Sequence, residues 1–182
     1  MWPVIFPTPA TGHPVTMWDR PELVHVHAYA KAHRRNPFGV LSVVLARATA
    51  TVEPHVSLPG GGQVGLFVAL AGNPGTGKDQ TIATGRKAVT FTRGGAGIDI
   101  DEFLLGSGEG IARTFKGREG NEARTRALFV ANEIDTFDAL AGRKGSTLSP
   151  QLKQMFNGQP LGFNNASAET NSVVPEGTYT AS

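Results

Sequence analysis

At 182 residues and 40% hydrophobic, the chain is long enough to bury one core and carry a short arm besides. A net charge of +2, beside a pI of about 9.2, is too small to argue for nucleic acid from bulk charge. The absence of cysteine excludes disulfides, thiolate metal ligands and thiol nucleophiles. No apolar run approaches the roughly 20 residues that cross a bilayer. Met1-Trp2-Pro3-Val4-Ile5-Phe6-Pro7 lacks the basic flank and long apolar core of a secretory signal, so a cytoplasmic location and no membrane partner are expected.

Residues 1–20 are Pro-rich, contain Trp2, Phe6 and Trp18, and read as an extended arm. Asp19-Arg20-Pro21 predicts a helix start, with Asp19 near the cap and Pro21 in the first turn. That helix runs to about Arg35 and ends at Asn36-Pro37. A second helix, from Pro37 to about Val52, carries Phe38, Val40, Leu41, Val44, Leu45 and Ala48 at helical spacing. His25 and His27, two apart on a helix, point to different faces and make a poor pair of metal ligands. His33-Arg34-Arg35 and Arg143-Lys144 read first as solvated patches and second as phosphate contacts. A Gly/Pro loop from Pro54 to Gly62 closes the first unit. Residues 1–62 thus form an arm and helical lead-in, and 63–182 the core.

That core opens on the apolar run Val64-Gly65-Leu66-Phe67-Val68-Ala69-Leu70-Ala71, followed at once by Gly72-Asn73-Pro74-Gly75-Thr76-Gly77-Lys78. A strand running into G-x-x-x-x-G-K has the form of a phosphate-binding loop (Walker A). The glycines let the backbone aim several N–H groups at one point, a helix starting near Gly77 adds its positive end, and Lys78 reaches the outer phosphates. Gly72, Asn73, Pro74, Gly75, Thr76, Gly77, Lys78, Asp79 and Gln80 are the candidate nucleotide-binding residues. Asp79 stands where a hydroxyl usually meets Mg²⁺. Its carboxylate can ligate the metal but puts negative charge near the phosphates, which favours binding over fast hydrolysis.

A helix-compatible segment runs from Asp79 to Val89, followed by a short strand over 88–92 and a turn at Gly94, Gly95 and Gly97. Asp99, Asp101 and Glu102 read as a solvated loop. Gly106-Ser107-Gly108-Glu109-Gly110 opens a helix through Phe115, and Gly117 to Asn121 is polar. A second apolar strand, Ala127-Leu128-Phe129-Val130-Ala131, ends in Asn132-Glu133-Ile134-Asp135, the arrangement of a Walker B segment. Glu133 is placed as general base. Asn132, in the metal-side position, can hold a metal-bound water but brings no charge. Asp79, Asn132 and Glu133 are the candidate Mg²⁺ ligands. There is no Ser/His/Asp arrangement in a nucleophile-elbow context and no internal repeat.

Gly106-Ser107-Gly108-Glu109-Gly110-Ile111-Ala112 and Leu128 through Thr136 resemble one known family. So do Arg143-Lys144-Gly145-Ser146-Thr147-Leu148, Gln154, Gly158 and Leu161-Gly162-Phe163, and the lead-in from Trp18 to Ala28 with Pro37-Phe38-Gly39-Val40-Leu41. The chain is similar, from about residue 16 to 180, to primase/helicase-associated P-loop ATPases of actinobacteria, their plasmids and their phages. The resemblance implies an α/β, RecA-like P-loop NTPase core (three layers around a mostly parallel sheet). It also implies ATP with Mg²⁺, and a role in replication of phage or mobile DNA beside a primase or helicase partner, or in a homo-oligomer.

Carried over by residue, the resemblance makes Gly72, Gly77 and Lys78 the phosphate cradle and Glu133 the Walker B acid. Glu109 becomes a second candidate base. The helix holding Gln151, Lys153 and Gln154 falls where related motors contact DNA or sense the γ-phosphate, with Arg143, Lys144 and Gln154 as candidates. An amphipathic helix burying Leu152, Met155 and Phe156 is the equal alternative. The family also implies a further apolar strand, more sheet and an arginine finger, whereas residues 164–182 are polar with only Val173-Val174 apolar. A core incomplete at the C-terminus is therefore expected, with hydrolysis weak or partner-dependent. Two other readings stay open: a small nucleotide or metabolite kinase with a lid built from Arg113, Arg118, Arg124 and Arg126, and a non-catalytic remnant that acts by occupying a partner.

Overall fold

The computed structural model describes residues 16–117, 123–164 and 171–182. The expectations for Trp2 and Phe6 in the arm, for most of the polar stretch 117–121, and for Arg118 fall outside the described residues.

The chain enters through a 3₁₀ turn, Met17–Asp19, and two helices, α1 (Pro21–Ala32) and α2 (Pro37–Thr49). Each helix starts with proline, whose missing N–H costs nothing at that position. Asn36 caps α2, its side-chain oxygen accepting from the Phe38 and Gly39 amides at 2.9 and 3.4 Å. Arg20, not Asp19, is the cap residue of α1; the Asp19 carboxylate turns back to the Thr16 amide at 2.6 Å. The burial face of α2 is narrower than its pattern suggests. Val40, Leu41 and Val44 are buried, while Phe38 and Leu45 are exposed.

Helix α3 (Lys78–Ala88) packs on α2, closely because of two glycines. A Cβ on Gly85 would lie 2.6 Å from Val43 Cβ, and one on Gly39 would lie 2.9 Å from Thr81 Cγ2. Val26, Ala30, Val40, Leu41, Val44 and Ala88 form the cluster that joins these three helices. A hairpin of two-residue strands comes next, β1 (Thr92–Arg93) with β2 (Ala96–Gly97), in place of the longer strand expected over 88–92.

The sheet holds β3 (Glu102–Leu104), β4 (Arg126–Val130) and β5 (Thr180–Ala181) in the order β3-β4-β5, parallel throughout. Helix α4 (Gly108–Phe115) joins β3 to β4; α5 (Ile134–Ala141) and α6 (Leu148–Phe156) come after β4. Ile111, Phe115, Ala127, Leu148, Met155, Leu161 and Tyr179 form the core under the sheet. On α6 the buried residues are Leu148, Gln151 and Met155. Phe156 is exposed, so the apolar face is rotated from the one the pattern proposed.

Two expectations need correction. The polar C-terminal segment does supply a strand: Tyr179, Thr180, Ala181 and Ser182 are all buried, and β5 pairs with β4. Conversely, the apolar run 64–71 joins no ladder. It instead lies alongside β5 at one point. The Thr180 and Ser182 amides donate to the carbonyls of Thr125, just ahead of β4, and of Ala127 on β4, so the Ala181 carbonyl faces the opposite edge. There a Cβ on Gly65 would lie 2.7 Å from the Ala181 oxygen, and the Leu66 amide donates to Ser182 Oγ at 3.3 Å. These contacts are to one backbone oxygen and one side-chain hydroxyl, and the segment forms no strand beside β5.

Candidate functional site

Because β3 and β4 are parallel, the chain beyond each leaves the sheet at its carboxyl edge, where open α/β sheets bind ligands. Those continuations are the turn that opens α4 with Glu109 and the pair Asn132 and Glu133. The loop 72–78 instead leads into α3, which packs on α2.

The loop has the backbone its glycines permit. Gly75 and Gly77 both have φ of 80°, and Gly77 is the left-handed residue preceding α3. The first helical bond of α3 is from the Thr81 amide to the Gly77 carbonyl at 2.9 Å, so the Lys78, Asp79 and Gln80 amides lie ahead of it at the positive end of the helix. Thr76 tightens the turn, its hydroxyl and amide donating to the Asn73 carbonyl at 2.8 and 3.3 Å. A Cβ on Gly72 would meet Thr76 Oγ1 at 2.7 Å. Lys78 folds back over the loop, its ammonium donating to the Gly72 carbonyl at 2.8 Å. Asn73, Pro74, Asp79 and Gln80 are exposed.

Glu133 and Asn132 are exposed just beyond β4, with Glu133 as the residue preceding α5 and making no side-chain cap bond. Glu109 is in a different situation. It accepts from Thr147 Oγ1 at 3.0 Å. Its own amide in the first turn of α4, then the Thr147 and Ser107 hydroxyls and nearby Arg113, hold its carboxyl below the ordinary range against a smaller opposing effect of desolvation. A carboxylate so held is a weaker base than an ordinary one, which counts against Glu109 as the general base.

Arg143 and Lys144 are exposed in the turn after α5. Gln154 is occupied: its side-chain oxygen accepts from Gln151 Nε2 at 2.6 Å, while the buried Gln151 accepts from the Gly162 amide at 2.7 Å. The acids read as a solvated loop are partly committed. Asp101 pairs with Arg124, and Glu102 lies between Arg47 and Arg86 (2.5 Å to Arg86 Nη2). Arg126 lies 3.5 Å from Glu53 and donates to the Thr51 carbonyl at 3.2 Å, so two of the four arginines a kinase lid would use are tied elsewhere. Among the described residues, no three His, Asp or Glu side chains are grouped to hold a metal ion. Nor does any described helix have the length and apolar character to cross a membrane.

Sequence reasoning singled out the loop itself but not the residues that brace it. Gly39 and Gly85 carry no motif; the signal that could have revealed them is a small residue in each of two helices that must touch. No protein-family model matches the chain, and neither a curated protein nor a solved structure matches it. Fold and site together define an α/β protein with a small parallel sheet, an acidic segment beyond β4 and a glycine loop that leads into α3.

Proposed function

We propose that the chain binds a nucleoside triphosphate, ATP with Mg²⁺, on the loop 72–78, as a RecA-like P-loop NTPase whose hydrolysis is slow or depends on a partner. The observation that carries this reading is the loop backbone: Gly75 and Gly77 are left-handed, Gly77 leads directly into α3, and the Lys78 ammonium lies over the loop, an arrangement that suits an anion.

The oxygen donors available suit Mg²⁺, which keeps most of its waters and takes one or two carboxylates along with phosphate oxygens. Asp79 in the first turn of α3 and Glu133 beyond β4 would supply those carboxylates, with Asn132 holding a bound water. The ion would offset phosphate charge; Lys78 would orient the outer phosphates, and Glu133 would accept the proton of the attacking water. DNA, a primase or helicase partner, or further copies of the chain are the partners that fit this reading. A neighbouring subunit would then supply the arginine that stabilises transition-state charge.

The test is calorimetry of ATP with Mg²⁺ on the wild type and Lys78→Ala, with phosphate release followed in the same samples. Binding that disappears in the variant is expected, with little turnover in the absence of DNA. A well-folded wild type that binds no ATP would remove the enzyme readings and leave an interaction protein. Phosphate appearing on an added acceptor would instead make it a kinase.

A further inference from the structure

A recess of about 280 Å³ opens beside the loop, between the end of α1 and the exposed side of α3. Tyr29, His33 and Arg35 line it from the lead-in, and Gln80 and Lys87 from α3. It begins at the loop itself. A Cβ on Gly77 would lie 2.5 Å from Arg35 Nη1 and 3.0 Å from Gln80 Oε1. Its volume falls just under the ~300–1,000 Å³ usual for a whole small ligand, so it suits part of one.

The lining has a specific chemistry. The Tyr29 and His33 rings pack on each other, centroids 4.2 Å apart at 33°, and form one aromatic pair at the wall of the recess. His33 Nδ1 lies 2.9 Å from the Tyr29 carbonyl, which can only accept, so Nδ1 donates to it and fixes the ring over the end of α1. No acidic residue lines the recess. Arg35 donates through Nε to the His33 carbonyl at 3.1 Å, and neither it nor Lys87 has a carboxylate partner among the described residues. Arg86, next to Lys87, is by contrast committed to Glu102.

Resting on the nucleotide reading above, we propose that this recess receives the base and sugar of the nucleotide whose phosphates occupy the loop. Lys78 marks the outer-phosphate end of the loop, so the rest of the ligand leaves along the first turn of α3, past Gln80, toward the recess. A base stacks on the outer face of this ring pair regardless of its identity, since every base has a flat face. Arg35 covers the inner phosphate. The helical lead-in is therefore part of the ligand site, and its removal uncovers half of the nucleotide.

The experiment compares ATP with inorganic tripolyphosphate, which has the phosphates but neither base nor sugar, by calorimetry with Mg²⁺. The proteins are the wild type, His33→Ala, Tyr29→Leu and Lys78→Ala, each checked by thermal melting. His33 is exposed, and leucine keeps the apolar bulk of Tyr29, so both variants fold. We expect His33→Ala and Tyr29→Leu each to weaken ATP about tenfold while tripolyphosphate binding stays within about twofold. Lys78→Ala should lose both ligands. Unchanged ATP affinity in both recess variants, with binding still lost in Lys78→Ala, overturns the recess while leaving the loop reading intact. A wild type that binds neither ligand overturns both.

Discussion

The helices that brace the loop and the sheet beneath it are built by different means. Around α3, packing relies on closeness: Gly39 and Gly85 let two helices meet nearly backbone to side chain, and the buried side chains are small or aliphatic. Under the sheet it relies on bulk, from Tyr179, Ile111, Leu148, Met155 and Phe115. Polar links join the two. Glu102 on β3 reaches Arg47 on α2 and Arg86 on α3; Thr49 Oγ1 meets Ser182 Oγ at 2.6 Å; Arg126 on β4 reaches the Thr51 carbonyl. The candidate site straddles this seam, with the loop held by the helices and Glu133 and Glu109 carried by the sheet. Apolar packing sets each half, and charge and hydrogen bonds set their mutual position.

The largest effect should come from the sheet side. Tyr179 is 2% exposed, tilted against Phe115 at 5.0 Å, and donates its hydroxyl to the Gln159 carbonyl at 2.6 Å; burial pushes its phenol well above the ordinary range. Tyr179→Ala should cost about 3–5 kcal/mol in urea denaturation. In a Trp2→Phe background Trp18, stacked on His27 in the helical half, reports that half alone while circular dichroism reports the whole. Both probes should move together, because a helical unit of this size lacks a core large enough to stand alone. A Trp18 transition left at its wild-type midpoint would break the picture of dependent halves.

The seam is tested by Glu102→Ala. It strands the half-buried Arg47, whose Nε already has no partner, and also releases Arg86; a loss of about 1–3 kcal/mol is expected. The two probes should then separate, Trp18 and circular dichroism no longer sharing one midpoint. Retained coincidence would mean that apolar contact, not Glu102, fastens the halves.

Gly85→Ala sharpens the claim about the helical half through its sign. In an exposed helix interior, glycine to alanine stabilises by up to about 1 kcal/mol. Here the new methyl meets Val43 at 2.6 Å and the Val40 carbonyl at 3.2 Å, and an overpacked contact costs about 1–3 kcal/mol. A net loss near 1 kcal/mol is expected in thermal melts. Stabilisation would show that α2 and α3 do not need this approach.

Legibility in the sequence divides along the same line. Local chemistry was legible: Asn36-Pro37 separates α1 from α2, the turn 106–110 opens α4, and the apolar run 127–131 gives β4 with its bounds one residue earlier. The glycine loop was legible because its φ values demand glycine. The two strand errors share one cause. Strand β5 has buried Thr180 and Ser182, whose polar groups are satisfied by β4 and Thr49, so it carries no apolar signature. Since β5 is two residues long, only 65 and 66 find it alongside. Phe67, Val68 and Ala69 stay exposed despite their composition. Pairing of this kind depends on a partner more than a hundred residues away, which no local pattern contains.

The smallest effect concerns Glu109, at the start of α4, with Thr147 as the link to α6. Its carboxyl is held below the ordinary value of 4.5 chiefly by its own backbone amide, then by the Thr147 and Ser107 hydroxyls and Arg113. A group with a lowered folded-state pKa contributes stability that is fully present above 4.5 and lost as pH falls through the folded value. Glu109→Gln should therefore cost about 0.5 kcal/mol at neutral pH, where one charge-assisted bond becomes an ordinary one. It should also flatten the wild-type decline in midpoint below pH 4.5, measured by urea titration at a series of pH values. Identical slopes in the two proteins would mean that Glu109 is not held by this junction. Glu109 would then be an unweakened candidate base at the carboxyl edge.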